Sequence, residues 1–279
     1  MPKTRPVRVD KHILYEASVQ DTEVDIDLIN RVGRRAAGRR PRTLREDFCG
    51  TALLACAWTA SRPDREAWGV DLHRPTLDWA REHRLTAPGV DPDRVHLLEA
   101  DVRNADTPQV DVVAALNFSY MIFFERETLK RYFQSVYTAL NPGGVFLLDI
   151  FGGPNAQDVM EEKKHIPAGE DVLGRPYPAF TYVWDQAAFN AVNQRIRCHI
   201  HFKGKKIESM PRAFTYDWRL WSITEIKDLL SEVGFKNVDA YFEGWSEELE
   251  DTDGILRRRT KYEGMLAWIS YLAAEKERA

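Results

Sequence analysis

The chain has 279 residues, 44% of them hydrophobic and 29% charged, which excludes a disordered chain and suits one large elaborated domain rather than a string of modules. Lys plus Arg number 39 against 43 for Asp plus Glu, a net charge of −4, which argues against a general nucleic-acid coat. Three scattered cysteines (Cys49, Cys56 and Cys198) suit neither a disulfide framework nor a zinc cluster.

The opening MPKTRPVRVD is basic but lacks the apolar stretch of a secretion signal. No window approaches the ~18 consecutive apolar residues of a membrane span. A cytoplasmic location in a reducing compartment is expected. KHILYEASVQ follows, where Ile13, Leu14 and Val19 suggest an amphipathic helix carrying Tyr15. The stretch 31–45 holds seven arginines, read as a solvated helix end and loop, with phosphate attraction as the alternative. From residue 43 strand-like runs alternate with helix-length segments. The strands are expected at Thr43–Phe48, Ala67–Leu72, Val95–Ala100, Asp111–Leu116 and Val145–Ile150. The helices are expected at Ala52–Ala60, Pro75–Arg84 and Glu127–Leu140, the last stopped by Pro142-Gly143-Gly144. Such alternation predicts parallel strands with right-handed crossovers, hence an open α/β sheet with helices on both faces.

The rhythm breaks after residue 153. Residues 154–176 read as a loop with a short helix. Phe180–Trp184, Arg195–Phe202 and Ala213–Leu220 then alternate like antiparallel strands. A helix over Thr224–Val233, stopped by Gly234, and strands at Asn237–Phe242 and Met265–Leu272 return the chain to the main sheet. The expected organisation is an N-terminal helical lid segment (1–42), an α/β core (43–153), an inserted cap sheet (154–215) and the rest of the core (216–279).

Ligands of open parallel sheets bind beyond the carboxyl ends of the strands. After the first strand comes Glu46-Asp47-Phe48-Cys49-Gly50-Thr51-Ala52, whose small residues admit a ligand to the backbone and whose helix N-terminus offers free N–H groups. About 20 residues on, Asp71 is placed to accept both hydroxyls of a ribose; the bland alternative is a helix cap. Asp101, ending the third strand, suits an adenine amino group. GxGxxG, the mark of a dehydrogenase turn, is absent.

In this order, LREDFCGTA, GVDLHRPTLDWA, LLEADVRN and LNPGGVFLLDI resemble the motif series of class I S-adenosylmethionine-dependent methyltransferases. The likeness covers about residues 43–152 plus ITEIKDLLSEVGF. It implies a Rossmann-like, mostly parallel seven-stranded sheet, with the small antiparallel insertion after the fifth strand, and S-adenosylmethionine as methyl donor. By the resemblance, Glu46 orients the loop and the methionine amino group. Cys49, Gly50 and Thr51 cradle the methionine and ribose portions, and Phe48 brings bulk to the cofactor edge. Asp71 takes the ribose and Leu72 packs on adenine. Asp101 and Val102 contact adenine, while Asn117 and Phe118 lie beside the sulfonium. The family places Gly where this chain has Phe48 and Ala52, so its loop geometry does not transfer directly.

Asn117 and Tyr120 stand nearest the expected methyl group, and Tyr15, in a segment that similar enzymes fold over the cofactor, joins them as a positioning candidate. Methyl transfer from a sulfonium needs mainly in-line positioning and an unprotonated nucleophile. His199 and His201 share a strand face with Arg195 and Arg197, but no third ligand stands at a telling spacing, so no metal is expected. Tyr182, Trp184, Trp218 and Arg197 are the candidate substrate residues. The aromatic ones select an apolar or cationic acceptor if the Arg/His face looks outward, the expected orientation because four such groups are costly to bury. Arg197 selects a carboxylate or phosphate if that face looks inward. The expected function is methylation of a small-molecule acceptor at N or O, with no membrane partner and a homodimer left open. The alternatives are RNA or protein methylation guided by residues 31–45, and a non-catalytic S-adenosylmethionine-binding protein.

Overall fold

A computed structural model describes residues 5–246 and 251–278. The chain divides into two compact units: residues 1–20 with 157–220, and residues 21–156 with 221–279.

The larger unit opens with α2 (Thr22–Ala37), preceded in the chain by α1 (Lys11–Val19) of the smaller one. Asp21 caps α2 by accepting from the Val24 N–H, and Gly38, at φ 73°, ends it in the left-handed region. There follow β1 (Thr43–Asp47), α3 (Leu53–Ala60), β2 (Glu66–Asp71), α4 (Arg74–His83), β3 (Val95–Glu99), β4 (Val110–Ala115), α5 (Arg126–Ala139) and β5 (Leu140–Gly152). Leu129, Tyr132, Phe133 and Val136 form the buried stripe of α5, as their helical spacing requires.

The smaller unit contributes β6 (Met160–Ile166), β7 (Gly169–Glu170), β8 (Pro176–Tyr177), β9 (Phe180–Asn190), β10 (Arg195–Lys203) and β11 (Met210–Arg219). The larger unit resumes with α6 (Ile223–Val233), β12 (Lys236–Ser246), β13 (Asp251–Arg259) and β14 (Trp268–Glu275). A capping box starts α6: Ser222 accepts from the Glu225 N–H, and the Glu225 carboxylate accepts from the Ser222 N–H.

The large sheet runs β13-β12-β14-β5-β4-β1-β2-β3. Strands β1 to β5 pair in parallel, and β14, β12 and β13 extend the sheet antiparallel from β5. Strand order reverses between β1 and β4, which opens a crevice at their carboxyl ends. All six residues of β4 are buried, as expected of a central parallel strand. Leu28, Leu44, Trp58, Val112 and Leu147 are among the core residues packed around β1 and β4.

Two expectations are corrected. The sheet has eight strands rather than seven, because 251–259 pairs with β12. That strand, DTDGILRRR, lies at the sheet edge, where little burial imposes an apolar alternation. Residues 154–176 are not a loop: β6 pairs with β9 from Met160↔Gln186 to Ile166↔Phe180. This charged edge strand, MEEKKHI, keeps five of its seven residues exposed, so no period of two marks it. Helix α1 groups with the smaller unit and α2 with the larger one.

In the smaller unit the sheet order is β11-β10-β9-β6. Leu14 of α1 packs with Ile166, Phe180, Ile200, Phe202 and Ile207 in that unit's core.

Candidate active site

The candidate cofactor site is assembled at the carboxyl ends of the parallel strands of the larger unit. Phe48 and Ala52, where the family carries glycines, both adopt φ 56°, and Gly50 between them φ 51°. The backbone thus takes the left-handed turns of a glycine loop without the glycines, at a cost of about 1 kcal/mol per residue. Phe48 offsets part of this by packing its ring on Tyr132 and Phe123, centroids 5.6 and 6.0 Å away. A Cβ on Gly50 would meet nothing within 4 Å, so the middle of the loop opens onto free space. Cys49 and Thr51 are buried, and burial with nearby carboxylates pushes the Cys49 thiol well up. It is an inert packing group.

Asp71 ties this loop to the second strand. One carboxylate oxygen accepts the Gly50 N–H at 2.9 Å and the other the His73 N–H at 2.7 Å. Each oxygen keeps a lone pair for a further donor. Immediately beyond, Leu72 is 67% exposed, an apolar surface next to a hydrogen-bonding carboxylate. Asp101 is held in a fork by Arg103, whose Nε and terminal nitrogen donate to its two oxygens at 2.9 and 2.5 Å. That pairing keeps the Asp101 carboxyl below the usual range. Val102 is buried, and its carbonyl accepts from Arg45 at 2.5 Å. Arg45 also donates to Asp47 at 2.6 Å, while the Tyr132 hydroxyl donates to the other Asp47 oxygen at 2.9 Å. This buried network fixes the floor beneath the loop.

Glu46 is buried and accepts the Ala55 N–H at 2.9 Å. Burial is the largest influence on its carboxyl, which is pushed up to about 8. At the end of β4, Asn117 and Phe118 are both left-handed, at φ 57° and 58°. Their N–H groups donate to the two oxygens of Asp149 at 2.7 and 2.8 Å. Asp149 therefore joins the candidate site; the sequence reading passes over it, although an acid inside the apolar run FLLDIF is itself a signal. Arg103 was missed also, as was Asp25. This aspartate of α2 is buried and accepts from the Tyr271 hydroxyl at 3.0 Å.

Tyr120 is fully buried, and its hydroxyl has no hydrogen-bond partner among the described residues. Here it is a buried neighbour of Asp149, whose charge helps raise it, rather than an exposed group.

The smaller unit holds the other candidates. Tyr15 hydrogen-bonds Tyr216 and lies with its ring 4.9 Å from Phe214. Trp218 stacks on Tyr216 at 4.4 Å, and Trp184 lies 6.0 Å from Trp218. Tyr182 lies 6.4 Å from Phe202 on the same apolar face. On the other face Arg197 is exposed and pairs with Asp217 at 2.8 Å. His199 meets Thr215 at 2.9 Å, and His201 meets Asp185 at 3.1 Å. The polar groups of this face therefore satisfy one another. Among the described residues no cluster of His, Cys, Asp and Glu has the form of a metal site, and no helix is long and apolar enough to cross a membrane.

Residues 49–146 match a family model described as a methyltransferase domain. No curated protein matches the sequence. Among solved structures, an S-adenosylmethionine-dependent methyltransferase from Clostridium acetobutylicum is 18% identical, with 95% of each chain covered and a TM-score of 0.66. CalS10, an amino pentose methyltransferase from Micromonospora echinaspora, is 18% identical, covering 98% of this chain and 99% of its own at a TM-score of 0.65. KedS8, a sugar N-methyltransferase from Streptoalloteichus, is 17% identical, covering 100% and 97% at 0.63.

Residues 49–146 therefore resemble a methyltransferase domain, and the chain has the Rossmann-like fold of these structures. S-adenosylmethionine is the methyl donor named for the first of these structures. The residues present fit that group: an open loop at Gly50, a ribose-type acceptor at Asp71, an apolar surface at Leu72, and buried acids near the strand ends.

Proposed function

We propose that the protein methylates a small-molecule acceptor bearing a nucleophilic amine, with an amino sugar as the first class to test. The observation that carries this reading is the extent of the structural likeness. It spans both units, and proteins described as amino pentose and sugar N-methyltransferases share it over 97% or more of each chain. Glu46, Phe48, Cys49, Gly50, Thr51, Asp71, Leu72, Asp101, Val102, Asn117 and Phe118 hold the donor in this reading, with Asp71 on the ribose hydroxyls. The donor supplies an electrophilic methyl group on a sulfonium. The protein's part is then to fix that methyl in line with the acceptor and to exclude water. Asn117 and Phe118, locked by Asp149, give a rigid edge for that alignment. Tyr182, Trp184 and Trp218 supply aromatic surface for the acceptor, with Tyr15 as the positioning residue beside them. Arg197, committed to Asp217 on the opposite face, is left out of acceptor recognition.

Methylation of nucleic acid guided by residues 31–45 loses its support. Five of the seven arginines there are paired with carboxylates: Arg31 with Asp27, Arg35 with Glu275, Arg39 with Asp111, Arg42 with Asp64 and Arg45 with Asp47. A run neutralised in this way attracts little phosphate.

The test is release of S-adenosylhomocysteine with a panel of amino sugars, their hydroxyl counterparts, RNA and an unstructured protein. Turnover is expected with amino sugars and not with the hydroxyl analogues. Turnover confined to RNA or protein would overturn the proposal.

A further inference from the structure

The ends of β2 and β3 form an open corner of the larger unit beside the loop that Asp71 ties down. Asp71 pairs with Glu99 in register, and its carbonyl accepts the Ala100 N–H at 3.1 Å. Leu72 and Asp101 therefore leave neighbouring strands close to one another. Leu72 exposes an apolar side chain to solvent. The side chains of Asp101 and Arg103 keep 26% and 38% of their surface accessible, so a ligand can reach both.

Arg103 fills most of the accepting capacity of Asp101. One carboxylate oxygen accepts the Arg103 backbone N–H and Nε, both at 2.9 Å. The other accepts Nη2 at 2.5 Å and shares Nε at 3.1 Å. A carboxylate offers about four lone-pair sites, so these bonds leave about one free. The guanidinium, in contrast, has donors to spare, because its Nη1 makes no hydrogen bond among the described residues. The pair is built into a braced turn. The Asp101 carbonyl accepts the Asn104 N–H at 2.9 Å, and the Val102 carbonyl between them accepts from Arg45 at 2.5 Å. Beneath, the Arg103 guanidinium lies 5.5 Å from the centre of the Phe123 ring.

A bare carboxylate at a strand end recognises donors only. The fork formed here offers an acceptor and a donor side by side. The edge of a purine carries the same two functions in either order: adenine presents its N6–H and the N1 lone pair, whereas hypoxanthine presents O6 and N1–H. We propose that Arg103 broadens base recognition, so that this site takes a 6-oxopurine nucleoside nearly as well as a 6-aminopurine one. The inference rests on the donor reading, with the base lying between Leu72 and Asp101, and is independent of the acceptor. Adenine donates from N6 to the remaining lone pair of Asp101 and accepts at N1 from Arg103. Hypoxanthine donates from N1 to Asp101 and accepts at O6 from Arg103. Without the guanidinium, O6 loses its donor and meets an unshielded carboxylate, which repels it.

Calorimetric titration of the whole protein with S-adenosylhomocysteine and with its 6-oxo analogue, S-inosylhomocysteine, tests this. The wild type is expected to bind the two with affinities within about tenfold of each other. Arg103→Ala is expected to weaken binding of the analogue at least about tenfold and that of S-adenosylhomocysteine by less than about threefold. The retained affinity for S-adenosylhomocysteine certifies the fold of the variant. A wild-type preference for the adenine form beyond about tenfold, or a preference that Arg103→Ala leaves unchanged or narrows, would overturn the role of Arg103 while leaving donor binding intact. Failure of the wild type to bind either nucleoside would overturn the donor reading itself.

Discussion

At the scale of single residues, the cofactor loop spends stability on its shape. Ala52 is buried at φ 56° with no cap hydrogen bond from its own side chain. Ala52→Gly should therefore raise stability by up to about 1 kcal/mol, measured by denaturant unfolding. Phe48 shares the same φ, yet Phe48→Gly should lower stability, because the ring contacts with Tyr132 and Phe123 are lost. A gain from both glycines would show that the loop does not hold these angles. Asp149→Asn leaves one of the N–H groups of Asn117 and Phe118 without a carboxylate oxygen. It should cost about 1–3 kcal/mol and lower turnover more than it weakens donor binding. The place of Asp71 at the end of β2 was legible from spacing alone. Asp149 and Asp25 were not, because their role depends on burial, and burial follows from strand order rather than from neighbours in sequence.

Elements set the second scale, and here pH is the informative variable. The raised carboxyls of α2, β1 and β5 hold protons in the folded state that the unfolded chain has already released above pH 4–5. Their contribution is full below the unfolded values and is lost as pH rises through about 7 to 8. The protein without ligand should therefore melt at a lower temperature at pH 8.5 than at pH 6. A melting temperature flat across that range would contradict the burial of these acids. On the smaller sheet, Arg197→Ala removes an exposed pair with Asp217 and should change stability by less than about 0.5 kcal/mol and turnover hardly at all. Strong periodicity made the parallel strands, α5 and α6 readable in advance. Both β6 and β13 escaped because edge strands meet solvent on most of their residues, and the pattern that reveals a strand is a pattern of burial.

For the whole molecule, three signals that are individually weak converge. A small-residue turn, an acid about 20 residues on and a third acid ending the next strand each have bland readings. Their order, on strands that the structure arranges as β3-β2-β1-β4-β5, groups them as one candidate site. The grouping of α1 with residues 157–220 was not legible, since it joins segments more than a hundred residues apart through core contacts such as Leu14 with Phe202. The central claim is that this chain binds S-adenosylmethionine through the loop that Asp71 ties to β2. Calorimetric titration of the wild-type protein and of Asp71→Ala tests it most directly. Loss of hydrogen bonds to a charged acceptor, at about 2–4 kcal/mol, predicts at least about thirtyfold weaker donor binding by the variant, with its unfolding transition retained. Equal affinity in the two proteins would contradict the account.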